Sequence, residues 1–426
     1  MPATPRFIAL QNRDFRFLWT GLLFSITASE MQFTAVTWHI AELLRGQRID
    51  LQIGSWSPTL DAAALGVGAL GVVRLAPIIF FALLGGIVAD NYDRRRILII
   101  SQSAALLFGG ALAAVTLTGN VTVPLIYLFS AGSAAASAFD EPARQSLVTN
   151  LVPRAHLSNA VSLNTLLSYL AGIIGPATAG LLISSAGLGA VYAIHAAGFL
   201  AMLVTLLPMN YRRPEGAPRS GFRLPAFREG LAFTLRSRLI FSTMLLDFFA
   251  TFFSSARTML PLVATNILGL DSRGYGLLST AQPVGAVVAG LILSMRRDID
   301  NQRNVLLLSV ALYGLATALF GLSTNFALSY FIFSFTGAGD TVSTVIRGTI
   351  RQMVTPDELR GRMTSVNMVF FIGGPQLGEL EAGLVASLMG VPFALVSGGL
   401  ATVTLAGWIA WRFPRLRDYR HLDYAF

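Results

Sequence analysis

Arg144-Gln-Ser-Leu-Val-Thr-Asn-Leu-Val-Pro153 and Arg347-Gly-Thr-Ile-Arg-Gln-Met-Val-Thr-Pro356 stand 203 residues apart in a chain of 426. The offset holds beyond them: Asn164 aligns with Asn367, and Gly180-Leu181 with Gly383-Leu384. Each copy leaves one apolar segment, crosses a short polar turn and enters the next. One half of the chain therefore repeats the other.

Outward from this repeat, a membrane helix needs about 20 mostly apolar residues. On that scale spans fall near 17–42, 65–89, 96–118, 123–143, 158–184 and 188–208, and then near 239–265, 275–295, 304–322, 326–346, 363–388 and 391–411. The expected fold is an all-α membrane protein with twelve transmembrane helices as two six-helix pseudo-repeats. Residues 1–208 form an N-terminal bundle, 209–238 a basic cytoplasmic linker, and 239–426 a C-terminal bundle with a cytoplasmic tail. An even six-plus-six repeat keeps both halves in the same orientation.

Composition agrees. The chain is 54% hydrophobic and only 12% charged, with a mean hydropathy of +0.63. Soluble domains carry about 25% charged residues, so the solvent for most of this surface must be lipid. Cysteine is absent, and His39, His156, His195 and His421 never reach metal-ligand spacing, so no metal site is expected. All 31 basic residues are arginine, which removes a P-loop lysine and a lysine Schiff base. No nucleophile–base constellation is visible, so no enzyme is expected. With no cofactor implied, energy must come from a gradient.

The net charge of +9 follows topology and not nucleic acid. With the N-terminus in the cytoplasm, cytoplasmic segments hold 26 arginines, outer loops hold Arg45, Arg48 and Arg273, and only Arg74 and Arg257 fall inside helices. That bias places both termini in the cytoplasm. The first apolar run is interrupted by Glu30 and lacks a small-residue cleavage site, so it reads as an uncleaved helix. The linker arginines suit anionic headgroups, with a regulatory role as the alternative. The outer loop 45–63 carries no readable pattern.

At this point motifs can be compared. Gly86-Ile-Val-Ala-Asp90-Asn-Tyr-Asp93-Arg94-Arg95-Arg96 resembles the inner loop between the second and third helices of the major facilitator superfamily, with Asn91 in place of the first basic residue and Asp93 in place of a glycine. Phe139-Asp140-Glu141-Pro142-Ala143-Arg144-Gln145, Thr355-Pro356-Asp357-Glu358-Leu359-Arg360-Gly361-Arg362 and Gln376-Leu377-Gly378-Glu379 resemble its enterobactin-exporter-like and macrolide-efflux-like branch. Gly172-Ile-Ile-Gly175-Pro176-Ala-Thr-Ala-Gly180 resembles a shortened exporter signature. The match runs from about Asn12 to Arg420. The resemblance implies that the first helix of each triplet lines a cavity and the third faces lipid; the third, sixth, ninth and twelfth spans carry no charge beyond Arg96 at the inner edge of the third. It also implies that Asp90 meets the start of the eleventh helix near Arg362 as a latch, where a helix dipole favours an anion. The plainer reading is that Asp90 and Arg94–Arg96 cap helices. For Gly172, Gly175, Pro176 and Gly180 the alternatives are a packing seam and a role in coupling.

The candidates for transport chemistry are the charges within spans. Glu30 lies roughly 20 Å along its helix from Phe17, a depth at which a carboxylate is protonated, paired or wet. Arg74 is its candidate partner, as a static pair or a working one. Asp140 and Glu141 lie one turn from Arg144, and Arg144 and Arg347 are candidate anchors of inner gates. Asp340 either pairs with Arg347 or lines the cavity. Depth favours Arg257 with Glu379 or Glu381 over Arg257 with Asp247, a buried pair suited to switching. Phe248, Phe249, Phe252 and Phe253 suit an amphiphilic ligand or plain packing. The expected function is proton-driven export of a small amphiphile such as a siderophore or macrolide, by a monomer in the bacterial inner membrane. The alternatives are uptake or flipping of a lipid-like solute, and a non-transporting sensor or accessory protein.

Overall fold

The computed structural model describes residues 7–52, 57–211, 224–296, 299 and 301–412. Helices make up nearly all of it. Hydrocarbon offers no water to backbone N–H and C=O groups, and a helix satisfies them within itself.

A 3-10 turn, Ile8–Gln11, leads into α1 (Arg13–Leu43), whose first turn is capped by the Asn12 side chain. A short hairpin of β1 (Arg48–Asp50) and β2 (Thr59–Asp61) follows, then α2 (Ala62–Asn91), α3 (Arg94–Leu117) and α4 (Val123–Leu151). Next comes α5 (Leu157–Leu206), which Gly187 breaks into two spans. There φ is +79° and ψ 171°, a conformation that favours glycine.

After α6 (Leu224–Arg236), α7 (Arg238–Phe253) stops short. The chain resumes as α8 (Leu260–Leu262) and a π-helical turn, Val263–Ile267. Then come α9 (Ser272–Ser279), α10 (Ala281–Met295), α11 (Gln302–Leu322), α12 (Phe326–Val354), α13 (Asp357–Met389) and α14 (Val391–Arg412).

The expected fold class holds. Among the described residues, seven helical segments are long and apolar enough to cross a membrane by length and composition. α1, α12 and α13 match them in length but are less apolar along their spans.

Three features depart from the sequence reading. The loop 45–63 holds the hairpin, in register Arg48↔Asp61, Ile49↔Leu60 and Asp50↔Thr59. The linker holds α6, whose Phe227, Leu231 and Phe233 pack on Ile240, Met244, Met363 and Val366. The seventh span is not one helix, because side chains take over from its ladder at Ser254 and Ser255. The Ser254 carbonyl accepts from the Tyr313 hydroxyl at 3.2 Å, its Oγ lies 2.7 Å from Thr402 Oγ1, and Ser255 Oγ donates to the Pro375 carbonyl at 3.3 Å.

The described residues group into two compact units. One is drawn from Met1–Ile40, Val73–Phe222 and Ser272–Leu277, the other from Ala41–Val72, Arg223–Asp271 and Leu278–Phe426. The first is cored by Phe15, Leu18, Leu98, Leu147, Leu167 and Met202. Leu246, Leu306, Val310, Ile346, Ile350 and Ile409 belong to a core of the second.

The repeat is visible in how helix ends are closed. Arg95 donates from Nε to the Leu206 carbonyl (2.9 Å) and from Nη2 to the Leu207 carbonyl (2.7 Å). Arg303 donates from Nη2 to the Ala410 carbonyl at 3.4 Å, and Ala410 is Leu207 shifted by the same 203 residues. Each arginine occupies orphan carbonyls at the last turn of a helix.

α10 and α12 cross so closely that a Cβ on Gly337 would strike the Gln282 carbonyl, and one on Gly285 the Ser334 carbonyl. Gly337→Leu should therefore cost about 1–3 kcal/mol by overpacking. Gly110→Ala meets nothing within 4 Å and should stay within about 0.5 kcal/mol. Thermal melting of the detergent-solubilised protein checks both; equal midpoints for the two variants would overturn the crossing.

Candidate functional site

Within the first unit, the helix-5 motif and Glu30 come together. Gly175 leaves the space that the stem of Glu30 fills: a Cβ at Gly175 would lie 2.6 Å from Glu30 Cβ and 3.0 Å from the Thr27 carbonyl. One turn further on, the other face of the motif receives α9. A Cβ at Gly276 would lie 2.6 Å from the Pro176 carbonyl and 2.8 Å from Gly180 Cα. Beside it, the Tyr275 hydroxyl donates to the Thr34 carbonyl at 3.2 Å and lies 2.7 Å from Thr37 Oγ1. Its ring stacks on Trp38 with centroids 5.2 Å apart. Close approach through small residues and interhelical hydrogen bonds is how helices associate in lipid. Arg74, on α2, holds its guanidinium 5.1 Å from the centre of the Phe33 ring, one turn along α1 from Glu30. Such a stack holds a guanidinium by its face.

The acidic pair on α4 is held from several sides. Asp140 accepts from Gln102 Nε2 at 2.7 Å and from Ser101 Oγ at 3.3 Å, with Arg144 Nε at 3.4 Å. Glu141 pairs with Arg144 and accepts from Gln145 Nε2 at 2.7 Å. Arg144 thus meets its counter-charges on its own helix.

Arg347 does not. It is 2% exposed and pairs with the equally buried Asp247 of α7. Its Nη2 donates to Thr344 Oγ1 at 2.9 Å and its Nε to the Ser343 carbonyl at 3.3 Å. Asp340 stands 3.8 Å from Nη2, with its side chain 45% exposed. Arg351, one turn on, donates to Asn367 Oδ1. The Asp247–Arg347 contact crosses between helices that sequence spacing does not link, and residue types alone gave no signal for it.

Glu379, 5% exposed on α13, stands against α2: a Cβ at Gly71 would lie 2.8 Å from Glu379 Cβ. A turn further along α13, Gly383 meets Gly68, where an added Cβ would come within 2.6 Å of the facing Cα. Glu381 is half-buried on the same helix, and Arg257 lies exposed in the interruption after α7. Phe248, Phe249, Phe252 and Phe253 pack as a ladder, extended by Phe370 of α13.

The loop motifs are occupied with helix ends. Asp93 caps α3 by accepting from the Arg96 backbone N–H at 3.0 Å, and Arg94 Nη1 donates to the Ser146 carbonyl at 3.1 Å. Arg360 pairs with Asp357 at 2.8 Å on the surface. Arg362 pairs with Glu229 of α6 at 2.7 Å, and Gly230 sits beneath its backbone. The surroundings of Gly86 and the side chain of Asp90 lie outside the described residues, and with them the latch. Sequence reasoning missed Tyr275, Gly276, Gly68, Gly71 and Glu229. The recurring small residues on α2 and α9 were the available signal for the glycines; nothing marked Glu229.

Comparison with known proteins extends this picture. Residues 4–425 match the model of a family described as transmembrane secretion effector. An enterobactin exporter, EntS, of Citrobacter koseri is 26% identical over 397 residues, covering 92% of this chain and 94% of that one. An EntS of Shigella boydii is 27% identical over 317 residues, covering 74% and 76%. A crystal structure of the nucleoside transporter NupG superimposes with a TM-score of 0.72 at 12% identity, covering 93% of this chain and 100% of that one. A bacterial homolog of the human lysosomal transporter Spinster, in an inward-facing and occupied conformation, gives 0.70 at 14% identity, covering 94% and 98%.

Removing one partner of a buried ion pair leaves the other charge uncompensated. Asp247→Ala should therefore destabilise by about 3–5 kcal/mol, and Asp247→Ala with Arg347→Met should recover most of it. Melting of the two variants in the same detergent checks this; a double variant no more stable than the single would remove the pair from the account.

Proposed function

This chain belongs to the transmembrane secretion effector family of the major facilitator superfamily, and from that premise we propose that it exports a small amphiphilic molecule in exchange for protons. It does so by alternating access in the bacterial inner membrane, as a monomer with both termini in the cytoplasm. The arginine bias supports that orientation. A siderophore heads the candidate substrates, because the relatives reported above are enterobactin exporters.

The observation that carries the reading is the placement of carboxylates within spanning helices at glycine seams. Glu30 rests on Gly175 of a neighbouring helix and Glu379 on Gly71. A carboxylate inside a membrane helix is costly, and a buried hydrophobe would stabilise the same contact at least as well. An ionisable group at a seam gives the helix contact a dependence on charge. That suits a carrier whose helices must separate and rejoin each cycle. The aromatic ladder of α7 and α13 supplies apolar surface of the kind an amphiphile prefers.

The test uses inside-out inner-membrane vesicles with an acid interior and a pH-sensitive dye. Enterobactin, macrolides, cationic dyes and lysolipids are added one at a time. Proton release triggered by a siderophore or drug, absent from vesicles lacking the protein, is the expected result. Release triggered by lysolipids alone would favour lipid flipping, and silence across the panel with folded protein would overturn proton-driven export.

A further inference from the structure

The two halves treat their paired arginines differently, and the difference singles out one carboxylate. In the first half Asp140 is four residues before Arg144, and donors from α3 hold it. Shifted by the 203-residue offset, that position becomes Ser343, whose backbone carbonyl accepts from Arg347. The second half has instead moved its acid one turn earlier, to Asp340, and added Asp247 from another helix.

We propose that Asp340 is the carboxylate that takes up and releases the coupled proton, with Asp247–Arg347 as the fixed pair that makes this possible. The inference rests on the proton-driven exporter reading. Three observations carry it. Asp340 lies 3.8 Å from Arg347 Nη2, beyond hydrogen-bond range, so that contact is a loose one, and its hydrogen bond comes from the neutral Thr344 side chain. Its side chain is 45% exposed although it sits about 21 Å along α12 from Phe326. A carboxylate at that depth is protonated, paired or wet, and the open side of Asp340 leaves room for water, the route a proton needs. Lastly, Arg347 keeps a buried counter-charge in Asp247 whichever form Asp340 adopts. Protonating Asp340 therefore leaves no unpaired buried guanidinium, the event that would break the bundle.

The groups facing Asp340 are consistent with a titrating site. Arg347 and Arg351 lie on its own helix. On α7 the facing charge is Asp247, and on α11 Tyr313 is within electrostatic reach of both aspartates. Arg303 of α11 points to the Ala410 carbonyl instead. α10 carries no charged side chain. One proton on Asp340 converts two carboxylates beside two guanidiniums into one carboxylate and one neutral carboxylic acid beside the same two guanidiniums. The local charge changes from neutral to +1 with no covalent rearrangement.

The experiment uses the full chain in nanodiscs, as wild type, D340N and Asp340→Glu, with melting to confirm that each is folded. Infrared difference spectra are taken across a pH titration without substrate. The expected result is a protonated-carboxyl band that grows on acidification in wild type, is missing in D340N, and returns at a shifted midpoint in Asp340→Glu. A D340N series that superimposes on wild type overturns the assignment, whatever transport does. In inside-out vesicles with enterobactin as the probe, D340N should lose at least about tenfold of the proton release while substrate exchange without a gradient persists. Full proton release by D340N overturns the coupling role. Loss of exchange as well would make Asp340 part of substrate handling and overturn it equally. Wild type that exchanges enterobactin with no dependence on a pH gradient overturns the antiport reading and this inference together, whereas a failed infrared series overturns the assignment of Asp340 and leaves the antiport reading in place.

Discussion

A polar group in hydrocarbon has to find its partner inside the protein, and most of this structure follows from that constraint. Helices answer it for the backbone along their length. Their ends remain exposed, with several carbonyls lacking a ladder partner. Arg95 and Arg303 supply the missing donors at equivalent places in the two halves. Where α7 stops, Tyr313, Thr402 and the Pro375 carbonyl supply partners to Ser254 and Ser255. The same rule decides which charges can be tolerated: Arg347 stays because Asp247 stays.

Charge and small residues then divide the work of holding helices together. Lipid gives helix association little hydrophobic gain, so close backbone contact has to supply it. Gly68 with Gly383, Gly180 with Gly276, and Gly285 and Gly337 with facing carbonyls are such contacts. Glycine seams form without desolvating anything, so they can part and re-form at modest cost. A buried salt bridge cannot, because parting strands a charge. The seams are therefore the contacts suited to exchange, and the Asp247–Arg347 pair is suited to permanence.

This division also explains what the sequence disclosed. The spans were legible because each needs some twenty apolar residues, and the predicted limits near 304–322 and 391–411 differ little from Gln302–Leu322 and Val391–Arg412. The break between the fifth and sixth spans was legible from local composition, although α5 runs through it with a single bend at Gly187. The interruption after Phe253 was not, because its cause lies in Thr402, Tyr313 and Pro375, far away in sequence. The α6 helix was hidden for a similar reason: its apolar face exists to meet α7 and α13. At the site, Glu30, Asp247 and Asp340 were marked by their charge alone, whereas their partners depend on which helices touch.

The divergence between Arg144 and Arg347 is the point at which the repeat ceases to be a copy. A guanidinium neutralised by acids three and four residues earlier on its own helix needs no counter-charge from a neighbour, and among the described residues only the neutral donors Gln102 and Ser101 of α3 reach into its cluster. A guanidinium neutralised from another helix ties the two together, so α7 and α12 are bound wherever α12 goes. The repeat places two arginines at equivalent positions, but only the second is such a tie. Once Asp247 secures that tie, the acid on α12 keeps a longer contact with Arg347 and a hydrogen bond from Thr344 on its own helix. A carboxylate whose partners lie on its own helix, yet within reach of a cation fixed from elsewhere, is the one the bundle can hold in both its charged and its neutral form.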